Sequence, residues 1–216
     1  MENANFLFLT GNSKNKQMKN IPILLIAFRL LLGPVLITLT YNYGSEIRKE
    51  LIVLIFLGLL SDIFDGIMAR RLGTSSEKLR RMDSQTDLVF WLCVAWCSWL
   101  LNPEIIINNT WPITLIFIME ALTYVFSFWK FGKETCTHAL LSKLWGITLL
   151  LAFVGMIGFG YSGITFSLAI IFGIVGHIDV LLIILILPKW AFDVPSCYHA
   201  YLIRSKIPFK KNKLFN

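Results

Sequence analysis

Six apolar blocks of membrane-spanning length constrain the fold of this chain more than any other feature of its sequence. They cover about residues 22–41, 51–68, 83–101, 111–129, 144–159 and 164–187, and polar or basic connections separate them. In a soluble helical protein the apolar residues recur as a stripe every three or four positions. Long apolar blocks are instead the pattern of helices surrounded by lipid. A helix crosses the hydrocarbon core in about 20 residues, so six crossings use up most of a chain of this size. Only 15% of the 216 residues are charged and 56% are hydrophobic, which leaves little for a separate soluble domain. The sequence therefore predicts an all-α integral membrane protein with six transmembrane helices.

The distribution of basic residues orients those helices. Of the 20 Lys and Arg, 17 fall on the N-terminal segment, the second-to-third and fourth-to-fifth connections, and the C-terminal tail. On the opposite side lie only Arg48 and Lys49. The positive-inside rule then places both termini in the cytoplasm. Three parts follow: a cytoplasmic N-terminal segment (1–20), a six-helix membrane domain (21–190) and a basic cytoplasmic tail (191–216). The apolar patch at residues 6–9 is too short to span and suits the membrane surface. The first block is too long for a secretory signal, and Tyr41-Asn42-Tyr43 is no cleavage site for one. The net charge of +7 is spread along helix flanks with no basic domain, which argues against nucleic acid as a partner. Cys93 and Cys97 lack nearby histidines for zinc and read as packing residues, and Cys136 and Cys197 fall on the reducing side.

Polar residues inside the blocks are the candidate chemistry. Asp62 and Asp65 sit three apart at the end of the second block, and Asp83 and Asp87 four apart at the start of the third. Residues at these spacings share a helix face, so each pair projects its carboxylates to one side. If the two helices are neighbours, four carboxylates meet at one depth, where they repel and resist desolvation. A hard divalent cation such as Mg²⁺, Mn²⁺ or Ca²⁺ relieves both problems. Arg29, inside the first block, either snorkels to the headgroups or faces these aspartates or an anionic substrate. Glu120, His177 and Asp179 also lie within blocks; Glu120 could pair with a lysine or line a substrate pocket, and Asp179 has no evident partner.

The pattern Asp62-x-x-Asp65-Gly66-x-x-Ala69-Arg70, followed by Asp83 and Asp87, resembles the signature of the CDP-alcohol phosphotransferase family. Asn20-Ile21-Pro22 leading into a helix with Arg29 and Pro34 adds to the likeness. The resemblance implies transfer of a phosphatidyl or related group from a CDP-linked lipid, such as CDP-diacylglycerol, to a hydroxyl acceptor, with release of CMP. It implies Mg²⁺ or Mn²⁺ held by Asp62, Asp65, Asp83 and Asp87, with Asp87 as the general base. Asp62, Gly66, Ala69 and Arg70 then face the nucleotide and its diphosphate. Lys130, Lys133, Lys143 and Arg29 become candidates for the acceptor. The resemblance further implies a homodimer in a bacterial inner membrane, its site facing the cytoplasm. One position departs from the signature: Leu79 stands where the family has a second glycine, and Gly73 is six residues away. Two other readings stay open, a family member without activity or with a changed donor, and a membrane protein that handles ions through its aspartates.

Overall fold

The computed structural model describes residues 20–137 and 139–208. Among them there are no strands, and eight α-helices follow one another: α1 (Ile21–Tyr43), α2 (Arg48–Arg71), α3 (Glu77–Leu101), α4 (Pro103–Asn108), α5 (Thr110–Phe131), α6 (Leu140–Phe153), α7 (Ile164–Ile186) and α8 (Cys197–Arg204). A 3-10 turn over Gly44–Ile47 joins α1 to α2, and a π turn over Val154–Gly158 prolongs α6. The apolar patch at residues 6–9, Lys14, Lys16, Lys19, His138 and the basic run at residues 209–213 lie outside the described residues.

Four stretches are long and apolar enough to cross a membrane: Ile21–Arg71, Thr110–Phe131, Leu140–Gly158 and Ile164–Ile186. The first takes in both α1 and α2. The third predicted block, α3, is not among them. Its first half carries Glu77, Lys78, Arg80, Arg81, Asp83 and Asp87, and only residues 88–101 are free of charge. So much charge in one helix has to face protein partners, and its partners are described below.

The turn between α2 and α3 sets the height at which the two aspartate pairs meet. Gly73 adopts a left-handed backbone (φ 63°), which ends α2 at low cost because no Cβ is present. The Thr74 N–H then reaches back to the Ala69 carbonyl at 3.0 Å. Three residues on, the Ser76 hydroxyl caps α3 by accepting the Leu79 N–H at 3.2 Å.

α1 lies along both α2 and α3, whereas α2 and α3 meet each other over a short stretch. Where they do meet, Gly58 makes room for a ring: a Cβ there would lie 2.2 Å from Phe90 Cζ. The main core fills the half of the bundle beyond the aspartates. It joins Leu36 of α1, Leu51 and Ile55 of α2, Phe90 and Val94 of α3, and Ile157 of the π turn, each almost wholly buried. In the other half of the molecule α7 packs on α6 and α5. Gly173 is tight against Ile116 and Trp145, so small residues bring these helices together. The buried carboxylate of Asp179 accepts the N–H of Cys197, the first residue of α8, at 2.9 Å. Asp179 thus answers the positive end of a short helix that folds back on α7.

Candidate functional site

The four aspartates of α2 and α3 converge on one guanidinium from α1. Arg29 Nη1 lies 2.9 Å from Asp62 and 3.3 Å from Asp65, and Nε lies 3.0 Å from Asp87. Nη2 donates a hydrogen bond to Asp83. Nε and Nη1 stand at ion-pair distance without hydrogen-bond alignment. Arg29 is 1% exposed, so the first helix directs its one charge wholly into the bundle. This is the reading in which Arg29 faces the aspartates.

Two of the carboxylates are closed in and two are open. Asp65 and Asp83 are each 3% exposed, whereas Asp62 keeps 33% and Asp87 30% of its side-chain surface. One oxygen from each of Asp62, Asp83 and Asp87 lies within 4.8 Å of the others. Asp65 Oδ2 is buried without a hydrogen-bond partner beside them. Hard anionic oxygens at that spacing, with four negative charges set against one guanidinium, fit a divalent cation of the Mg²⁺ or Mn²⁺ type.

Apolar layers close the cluster along the helix axes. Beyond it lies the core around Leu36 and Phe90. Before it Ile26, Ala69 and Leu79 form a small buried contact across α1, α2 and α3. Leu79, the departure from the signature, is therefore a packing residue here. It fills space directly beside Ala69, at the end of the bundle from which Arg70 and Arg80 reach the cluster.

A basic rim borders the open side. A Cβ on Gly66 would lie 3.6 Å from Arg70 Nη1 and 3.7 Å from Arg80 Nη1, so both guanidinium groups stand over that glycine. Arg80 is buried, 3.8 Å from Asp83, 3.2 Å from Asp193 and hydrogen-bonded to the Ser75 hydroxyl, with Nη2 unpartnered. Lys143 of α6 lies within the field of Arg70, Arg80, Asp193 and Asp62. Arg80 and Asp193 are the members of this site that the sequence reading left out. Arg80 shares a helix face with Asp83, a signal that was available. Asp193 arrives through the fold-back after α7, and nothing local announces that.

The other two candidate lysines are held elsewhere. Lys130 donates to the Ile184 and Leu185 carbonyls at 2.9 and 2.8 Å, neutralising the C-terminal end of α7. Lys133 pairs with Glu77 at 2.7 Å and lies over the Trp190 ring. Beside it Arg81 forks onto Glu134 with bonds of 2.7 and 2.8 Å. These two pairs tie the loop after α5 to the start of α3. The Arg81 hydrogen bonds hold the Glu134 carboxyl below the usual carboxylate range. Burial pushes the neighbouring Cys136 thiol up to about 12, so it stays protonated and unreactive.

Glu120 pairs with a histidine and not with a lysine. His177 Nε2 lies 2.6 Å from Glu120 Oε2, and Nδ1 lies 2.6 Å from the Gly173 carbonyl. A carbonyl oxygen brings no proton, so Nδ1 donates to it. The contact joins α5 to α7 and gives each polar group a partner between apolar helices.

Apolar helices of membrane-crossing length around an acidic cluster that could bind a metal ion describe an integral membrane protein. The family model described as CDP-alcohol phosphatidyltransferase matches residues 19–185, and the chain belongs to that family. It is a transferase of the class that moves a phosphatidyl group from a CDP-alcohol to an alcohol acceptor. No curated protein and no solved structure matches the chain.

Proposed function

We propose that the chain transfers a phosphatidyl group from a CDP-linked lipid, of the CDP-diacylglycerol kind, to a hydroxyl acceptor and releases CMP. The observation that carries this reading is the meeting of Asp62, Asp65, Asp83 and Asp87 beside Arg70 and Arg80. Asp62, Asp65, Asp83 and Asp87 would hold Mg²⁺ or Mn²⁺, which when bound neutralises the donor diphosphate as it breaks. Arg70 and Arg80, standing over Gly66 and close to Ala69, offer forked donors to the phosphate oxygens. Asp87, partly exposed beside the buried Asp83, is the general base. It takes the proton of the acceptor hydroxyl as that oxygen bonds to the lipid-bearing phosphorus. The bond from that phosphorus to the CMP oxygen breaks, and CMP leaves with the electron pair. Of the candidate acceptor residues, Lys143 is the one we assign to an anionic acceptor group, because Lys130 is bound to the carbonyls ending α7, Lys133 to Glu77 and Arg29 to the aspartates.

The same reading places six helices across a bacterial inner membrane with both termini and the site on the cytoplasmic side, in a homodimer. α3 then crosses with its charged half paired to α1 and to the loop after α5. The test is CMP release from CDP-diacylglycerol with Mg²⁺ or Mn²⁺ and a panel of hydroxyl acceptors. We expect release that needs the metal and that Asp87→Asn abolishes. No release with any acceptor sinks the reading. Leu79 supports one alternative, a changed or lost donor preference, because its buried side chain occupies the space beside Ala69. Restoration of CDP-diacylglycerol turnover by Leu79→Gly distinguishes that case.

A further inference from the structure

Arg29 stands where a cation is needed. One buried guanidinium reaches all four aspartates at once, and Asp62, Asp83 and Asp87 are also the three whose oxygens lie within 4.8 Å of one another. The guanidinium and a divalent ion therefore draw on the same oxygens. We propose that Arg29 is the resident counter-ion of the aspartate cluster: it holds the carboxylates together in the metal-free protein and competes with the divalent cation for them. This inference rests on the metal-dependent reading above and adds a positioning residue to it.

Charge and packing set the direction of the effect. Arg29 and, at 3.8 Å from Asp83, Arg80 are the guanidinium groups at ion-pair distance from four carboxylates, which still attract a cation, but the Arg29 charge about 3 Å from the ligand oxygens repels it. The opposite influence, in which Arg29 preorganises the ligands, is the weaker one. The carboxylates sit on helices already fixed on both sides of the cluster, by Phe90 against Gly58 and by Leu79 against Ala69 and Ile26. These contacts set where the helices stand, and Arg29 offsets the repulsion among the carboxylates that the helices bring together. With 1% of its surface exposed, Arg29 also has no water to retreat to, so it gives up the carboxylates only by moving to another anion.

The experiment is a Mn²⁺ titration, read by the electron spin resonance of the free ion, on the full chain in lipid nanodiscs with no substrate. Wild type is compared with Arg29→Gln and Arg29→Lys. We expect Arg29→Gln to bind Mn²⁺ at least about tenfold more tightly, and Arg29→Lys to fall between, because one ammonium cannot span four carboxylates. In chelator, Arg29→Gln melts below wild type, and Mn²⁺ restores it. If Arg29→Gln does not fold without metal, the Arg29→Lys titration decides alone. Mn²⁺ binding equal to or weaker than wild type in the folded variants overturns the proposal and leaves the metal reading standing. No Mn²⁺ bound by any of the three proteins overturns both.

Discussion

At the scale of single residues, Leu79 gives the sharpest expectation. It is buried against Ile26 and Ala69, so truncation removes apolar contact and leaves a void. Leu79→Ala should lower stability by about 2 kcal/mol, the low end for a buried leucine because the contact is small. Thermal melting in detergent measures this, and an unchanged melt refutes the packing role. The aspartates were legible because their spacing alone puts two carboxylates on one face of each helix. Arg29 was legible because a lone arginine in an apolar block needs an anionic partner. Asp193 was not, because its place beside Arg80 depends on a reversal of the chain after α7 that no local pattern encodes. Of the two roles open to Glu120, a lysine partner or a place in a pocket wall, the structure replaces the lysine with a histidine. The nearest lysine in sequence, Lys130, is taken up by the carbonyls ending α7, and His177 comes from a helix 57 residues away.

At the scale of elements, helix contacts and loop tethers respond to different perturbations. Gly58→Ala forces a methyl into the Phe90 ring, itself 1% exposed in the core, and neither helix can move without disturbing α1. We expect a loss of about 1–3 kcal/mol, read by thermal melting with and without Gly58→Ala. The Arg81–Glu134 fork predicts a pH effect. Glu134 titrates lower in the folded chain than in the unfolded one, so its contribution is complete above the ordinary carboxylate value. That contribution fades as pH falls through the lower folded value. Acid titration of stability should therefore be shallower for Glu134→Gln than for wild type. Equal slopes would show that the tether carries no weight. The helices themselves were legible from apolar runs, and their ends less so. α3 begins at Ser76, well before the apolar run at residues 88–101, because a cap and a glycine turn set its start.

At the scale of the whole molecule, the all-helical membrane architecture could be read from block lengths, but the packing order could not. Sequence neighbours α2 and α3 were expected to lie side by side with Arg29 facing their aspartates, yet they meet only over a short stretch and α1 lies along both. Periodicity says which face a helix buries and not which helix it buries that face against. The metal reading adds a global expectation: Mg²⁺ or Mn²⁺ raises the melting temperature in proportion to the logarithm of its concentration above the dissociation constant, and chelator reverses the gain. A melt insensitive to metal at any concentration contradicts it. The wedged position of α1 also has a consequence for biosynthesis. Because a chain is made from its N-terminus, the helix bearing the guanidinium is made before the two helices that carry its four anions. Asp62 and Asp65 reach Arg29 with α2 and Asp83 and Asp87 only with α3, so the cost of a charge within α1, about 2.5–3.5 kcal/mol, is lifted in two stages as the later helices pack onto it.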